Sequence, residues 1–173
     1  PTHTANEFEK IIKNTGLPLK SWLMACAGRV TAWAVGANAS VLGLITSCRP
    51  ESEDAVDAIG MFLNTLPVVL EGGETWIDAV QQALAAETDV IEDRMFPLSE
   101  LSRMAERRPF MASFNFVHFR PTEAANIDTI VDTERSRETT DIDLAITFSL
   151  SPDGGRLHGE ISYSASIPKV QAT

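Results

Sequence analysis

Apolar positions change their period along this chain, and the changes divide it into elements. "TANEFEKIIKNTG" carries Phe8, Ile11 and Ile12 on one side and ends at Gly16, which predicts a short amphipathic helix. From Leu19 to Val35, after Pro18 as a first-turn residue, the chain is apolar nearly all round, with Trp22, Leu23, Met24, Val30 and Trp33, which predicts a buried helix. "VLGLITS" is a continuous apolar run of the kind found in a strand covered on both faces, and "CRPESEDAVDA" is a polar, acidic connection. "AIGMFLNTLPVVL", residues 58–70, is a second apolar run interrupted by Gly60, Asn64, Thr65 and Pro67. A run that only filled a core would be Val, Ile and Leu throughout, because each buried polar group needs a partner. The interruptions imply that something besides packing is fixed there.

Gly72 and Gly73 then break the strand, and Thr75 followed three residues later by Asp78 gives a helix-capping signal. Ile77, Val80, Leu84 and Ile91 are expected on one face of that helix, and Pro97 opens another with Leu98, Leu101 and Met104 on one side. The period next changes to two. In "FMASFNFVHF" it predicts Phe110, Ala112, Phe114 and Phe116 on one face. "DIDLAITFSL", the turn "SPDGG" and "RLHGEISYS" form a hairpin signal, with Leu157, Ile161 and Tyr163 inward and His158, Glu160 and Ser162 outward. Between these strands "RPTEAANIDTIVDTERSRETT", residues 120–140, is polar and long for a connection, which marks it as a crossover arm. The sum is a single-domain α/β sandwich, with helices on one face of a mixed or antiparallel sheet and a polar strand face open to water or a partner.

At 173 residues, 44% hydrophobic and 22% charged, the chain is long enough for one core. A formal net charge of -10 argues against nucleic acid, whose binding draws on Lys and Arg. Arg103, Arg107 and Arg108 read as a solvated helix terminus whose cations complement the dipole. Cys26 and Cys48 have neither metal-ligand nor disulfide-framework spacing, so they read as unpaired thiols of a reducing compartment. No apolar stretch is long enough to span a membrane and nothing resembles a signal peptide, which gives a cytoplasmic expectation. His3, His118 and His158 are isolated from one another and from cysteine or carboxylate ligand spacing, so no metal site is expected. Asp141 and Asp143 share a strand face and read as solvation. With no nucleophile elbow and no phosphate-binding glycine loop, the residues alone assign no catalytic group.

"IGMFLNTLPVVL" closely resembles the I-G-x-F-V-N-T-L-x-x-R motif of the condensation domains of non-ribosomal peptide synthetases. Ile59, Gly60, Phe62, Asn64, Thr65 and Leu66 match, while Val69 stands where the family has Arg. Related epimerisation domains read more like V-G-W-F-T at this place. Other segments follow in family order. "GLITSCR" is similar to G-x-P-V-x-G-R through Gly43, Ser47 and Arg49, with Cys48 in place of Gly. "EDRMFPL" resembles H-Q-x-x-P-[FL] through Pro97 and Leu98, with Asp93 and Arg94 replacing His-Gln. "ERRPFMASFNF" keeps Pro109, Phe110, Phe114, Asn115 and Phe116 of R-N-P-L-F-x-x-x-F-N-F.

The resemblance implies a chloramphenicol-acetyltransferase-like fold built from two lobes, of which this chain is the C-terminal one. The family's catalytic H-H-x-x-x-D-G motif belongs to the N-terminal lobe, and this sequence has no His-His pair. It implies a role in joining two carrier-bound thioester substrates into an amide. Ser47, Arg49, Gly60, Phe62, Asn64, Thr65, Leu66 and Pro67 would line the tunnel or lobe junction, and residues 120–140 would reach across to the other lobe. No cofactor is expected on the chain itself; phosphopantetheine would arrive on carrier proteins. Expected partners are the absent lobe, carrier proteins, neighbouring synthetase domains and, through an uncovered junction, a second copy. The alternatives are the C-terminal lobe of a related acyltransferase acting on a free alcohol or amine, and a non-catalytic carrier-docking module.

Overall fold

Residues 10–15 are helical and stop at Gly16, whose φ of +66° is a left-handed conformation open to glycine; its N–H donates back to the Ile12 carbonyl. The structure, a computed structural model, describes residues 10–52, 55, 57–118, 142–150 and 157–164. The start of that first helix, the candidate arm 120–140, Asp141, His3 and the turn at 151–156 lie outside the described residues.

The elements that follow are α1 (Leu19–Ala34), β1 (Ala39–Ser47), β2 (Leu63–Glu71), α2 (Trp76–Ile91), α3 (Leu98–Met104), β3 (Ala112–His118), β4 (Leu144–Leu150) and β5 (Leu157–Tyr163). The strands form one sheet in the order β2-β1-β3-β4-β5. It is mixed. β1 runs antiparallel to β2 and β4 antiparallel to β5, while β3 lies parallel to both β1 and β4.

Alternation sends Leu42 and Leu44, Val68 and Leu70, Ala112 and Phe114, and Ile146 to one face, where they join Trp22, Leu23, Met24, Val80 and Ala83 in a single core, and Leu66 is buried on the same face. Both long helices therefore cover the same face, as the sandwich pattern predicts. α2 begins on the expected capping box: the Thr75 hydroxyl accepts from the Asp78 N–H, and the Asp78 carboxylate accepts from the Thr75 N–H at 3.0 Å.

Four local expectations are corrected. α1 is buried all round only in its first turns; Trp33 is 83% exposed and Val30 is exposed as well. At 100° per residue Trp33 lies about half a turn round from the fully buried Met24, beyond the stripe that meets the sheet. On α2 the buried centre is Ala79, Val80 and Ala83, and Ile77 faces solvent because the seam with α1 runs beside it. On α3 Leu98 and Leu101 are half-buried and Met104 is exposed. Leu157, Ile161 and Tyr163 do point to the helix side of the sheet, but all three are exposed, since α1 and α2 cover β1, β2 and β3 and β5 is the far edge strand.

Phe110 departs from its expected face for a reason that bears on the site. It precedes β3, and its ring lies against Gly43 on the side away from the helices, so close that a Cβ at Gly43 would stand 2.4 Å from the ring. Gly43 is paired with Pro67 on one side and Ser113 on the other. A side chain at position 43 would displace the aromatic cover of the second face.

Candidate functional site

The run at 58–70 is not one buried segment. Ile59, Met61 and Leu63 are exposed, and β2 begins only at Leu63, after which Leu66, Val68 and Leu70 turn inward. What the polar residues fix is the approach to the strand.

Asn64 shares the helix-side face with Leu66, and its carboxamide spans a gap of thirty residues. Nδ2 donates to the carbonyl oxygens of Arg94 at 2.9 Å and Phe96 at 2.7 Å, while Oδ1 accepts from the Thr65 N–H at 2.9 Å. The α2–α3 connection is thereby fastened to the start of β2. Its closing residue, Pro97, is the N-cap position of α3.

Arg49 fastens the other side. Its guanidinium donates to the carbonyls of Ala58, at 2.9 Å, and Ala55, and it lies 4.1 Å over the Phe62 ring. The planar fork and delocalised charge of arginine suit this combination of carbonyl contacts and stacking. The Ser47 hydroxyl accepts from the Arg49 N–H at 3.3 Å, and the Cys48 N–H donates to the Phe62 carbonyl at 2.8 Å. Gly60 lies under the same ring: a Cβ there would approach Phe62 to 3.3 Å.

These contacts close into a circuit. Arg49 holds the carbonyls of Ala55 and Ala58 and the ring of Phe62; Asn64, two residues on, holds the Arg94 backbone; and Arg94 returns through its side chain to Glu51 at 3.0 Å. Ser47, Arg49, Gly60, Phe62 and Asn64 thus come together at one end of the β1–β2 pair. Thr65 and Pro67 occupy the sheet face away from the helices, and Leu66 belongs to the core. Pro67 faces Gly43 across the ladder and through it the Phe110 ring. Pro109 is half-buried beside Phe110, and Asn115 sits on β3 opposite Thr147, outside the circuit.

Glu51 and Arg94 were missed as members of the site. Opposite charges forty-three residues apart carry no local signal, although Arg94 stands at a position where the family pattern has a different residue. The exposed apolar residues beside the circuit, Ile59, Met61 and Leu63 with Met95 and Phe96, were likewise missed as a surface.

The arrangement contains hydrogen-bond donors, stacked rings and apolar surface. Among the described residues no group of His, Cys, Asp or Glu has the geometry to hold a metal ion, and both cysteines are free. Cys26 lies on α1, where burial pushes its thiol pKa up against a smaller opposing effect of Arg29. No described helix is long and apolar enough to cross a membrane.

The comparisons with known proteins agree in kind. The family model for the condensation domain matches residues 1–167. The AMB antimetabolite synthetase AmbE of Pseudomonas aeruginosa is 28% identical over 165 residues, which is 95% of this chain and 8% of that protein. Among solved structures, the first condensation domain of the calcium-dependent antibiotic synthetase, in complex with a substrate analogue, aligns with a TM-score of 0.73 at 19% identity, covering 95% of this chain and 38% of its own. The condensation domain from the Monacolin K polyketide synthase MokA aligns with a TM-score of 0.75 at 14% identity, covering 96% and 40%. The chain therefore has the fold of one part of these chloramphenicol-acetyltransferase-like domains and spans less than half of each. By its match over nearly its whole length, this chain belongs to the condensation-domain family.

Proposed function

We propose that the chain is the C-terminal lobe of a condensation domain and works as one wall of a two-lobed cavity in which amide bonds form between carrier-bound aminoacyl or peptidyl thioesters. The observation that carries this reading is the fastened circuit of Arg49, Phe62 and Asn64 beside an uncovered apolar surface. A structure that fixes Ile59 and Met61 in place while leaving them exposed has the character of a surface awaiting a partner.

Amide formation from a thioester needs the attacking amine held within reach of the carbonyl and a group to take its proton. This sequence lacks the His-His motif that the family uses near the amine, so in this reading proton handling belongs to the other lobe. The contribution of this lobe is positional: the circuit sets the height of residues 59–63 and 94–96 against the opposite wall, and the phosphopantetheine arms of two carriers enter between the walls. Residues 120–140 are the proposed crossing arm. The alternatives, an acyltransferase lobe for a free alcohol or amine and a carrier-docking module, use the same surface with a different acceptor or with no reaction.

The test adds the N-terminal lobe in trans and mixes both with donor and acceptor carriers loaded as thioesters, following the amide product by mass spectrometry. The reading predicts product only when both lobes are present. Tight association without product from any loaded pair points to the docking module, and product with a free amine but not a carrier-bound one points to the acyltransferase.

A further inference from the structure

A second apolar surface lies at the other end of the β1–β2 pair. There the C-terminal end of α1, the turn before β1, the Gly72 bend and the start of α2 enclose an open groove of about 710 Å³, lined by Arg29, Val30, Trp33, Asn38, Gly72 and Trp76. Trp33 is 83% exposed and Trp76 48%, and Val35 and Ile77 beside them are exposed too. The eight residue steps of β1 separate this groove from the Ser47 end by roughly 26 Å at about 3.3 Å per step. A lobe seated on Ile59 and Met61 would leave it bare.

We infer that this groove is the seat of a second partner, a neighbouring domain of the same synthetase polypeptide that presents an apolar anchor flanked by Lys or Arg. The inference rests on the proposed placement of the chain in a larger synthetase, and it concerns a different face. Three observations select this occupant. Exposed indoles with an arginine between them are the residue types that anchor protein interfaces. Among the described residues Arg29 is the one charged residue lining the groove, and the charges on the bend beside it are acidic. Glu71 and Glu74, both exposed, flank the Gly72–Gly73 bend, and the last turn of α1 carries no basic residue to answer its negative dipole end. The positive end of α2 is already answered by Asp78. Arg29 is committed, its Nη2 donating to the Gly73 carbonyl at 2.6 Å and its guanidinium lying 4.7 Å over Trp76, which shows that this indole face receives a cation. A second copy of the chain, at a net charge of -10, is electrostatically mismatched to this rim. Finally, AmbE, the relative matched over 95% of this chain, devotes 8% of its length to the matched region, so further domains on the same polypeptide are the nearest source of a partner.

The experiment measures the N-ethylmaleimide labelling rate of a Val30→Cys variant, which leaves both indoles in place, within the intact synthetase, resolved by peptide mass spectrometry from Cys26 and Cys48. The reference is a Met104→Cys variant on the exposed side of α3. Position 30 should label at least about tenfold more slowly than position 104. The ratio should hold across protein concentrations, and Glu74→Lys should restore fast labelling. Equal rates at the two positions would overturn the inference. Protection that grows with protein concentration would overturn it in favour of a second copy, and protection indifferent to Glu74→Lys would overturn the basic partner. Amide formation by the same preparations reports separately on the proposed function.

Discussion

The carboxamide of Asn64 donates to the Phe96 carbonyl at 2.7 Å, and this bond joins the start of a strand to a loop thirty-two residues further along. It explains why a polar side chain interrupts an apolar run. Both Nδ2 protons are spent on backbone acceptors, at Arg94 and Phe96, and the oxygen is spent on Thr65.

Replacing that amide with a carboxylate, Asn64→Asp, keeps the shape and points oxygen at two carbonyl oxygens. The loss should be about 1–3 kcal/mol at neutral pH. The repulsion raises the folded-state pKa of the introduced carboxyl above its unfolded value. Its proton therefore favours folding, and the variant recovers stability as pH falls towards the unfolded value and loses it as pH rises through the folded one. Urea unfolding at pH 4.5 and pH 8, each against the parent chain, measures this; a deficit equal at both pH values would contradict it.

Arg49→Lys keeps the charge and loses the fork and the stacked plane over Phe62. We expect a cost of about 1–2 kcal/mol and faster amide hydrogen exchange across residues 57–62, with exchange in α2 unchanged. Uniform acceleration over the whole chain would mean that the guanidinium supports the global fold instead of this loop.

At Gly43 even one methyl group meets the Phe110 ring at 2.4 Å. Gly43→Ala should cost about 1–3 kcal/mol by overpacking, seen as a lower denaturation midpoint with the slope unchanged. Combining it with Phe110→Leu should cost less than the sum of the two single changes, because the shortened side chain vacates the space that the methyl group takes.

The capping pair gives a pH signature of opposite sense to that of Asn64→Asp. Hydrogen bonds from the Thr75 hydroxyl and then its backbone N–H hold the Asp78 pKa below its ordinary value of 3.8. A depressed carboxylate contributes stability above the unfolded pKa and loses it as pH falls through the folded one. The stability difference between the parent and Asp78→Asn should therefore be constant at neutral pH and shrink below about pH 3.8. Denaturation midpoints across pH 2–6 check it.

Much of the fold was legible because it is written locally. The Thr75–Asp78 box, the stop at Gly16 and the period-two strands each depend on residues within a few positions of one another. The candidate site was legible as a set of residues and illegible as a geometry. Asn64 finds its acceptors across thirty residues and Arg94 its Glu51 across forty-three, distances at which no period or spacing carries information. Phe110 fits the alternation of β3 in sequence yet leaves it in space, where it precedes the strand and its ring fills the space over Gly43. Trp33 and Ile59 read as core by hydrophobicity alone, and each is surface: Trp33 lies about half a turn round α1 from the buried Met24, and Ile59 precedes the start of β2.

The most direct measurement of the central claim is sedimentation velocity of an equimolar mixture of this chain and the N-terminal lobe of its condensation domain, run beside each alone and beside the Ile59→Glu, Met61→Glu double variant. The account predicts a one-to-one complex that the double variant abolishes while its own circular dichroism and melting stay those of the parent. Two non-interacting species, or a complex indifferent to Ile59 and Met61, would contradict it.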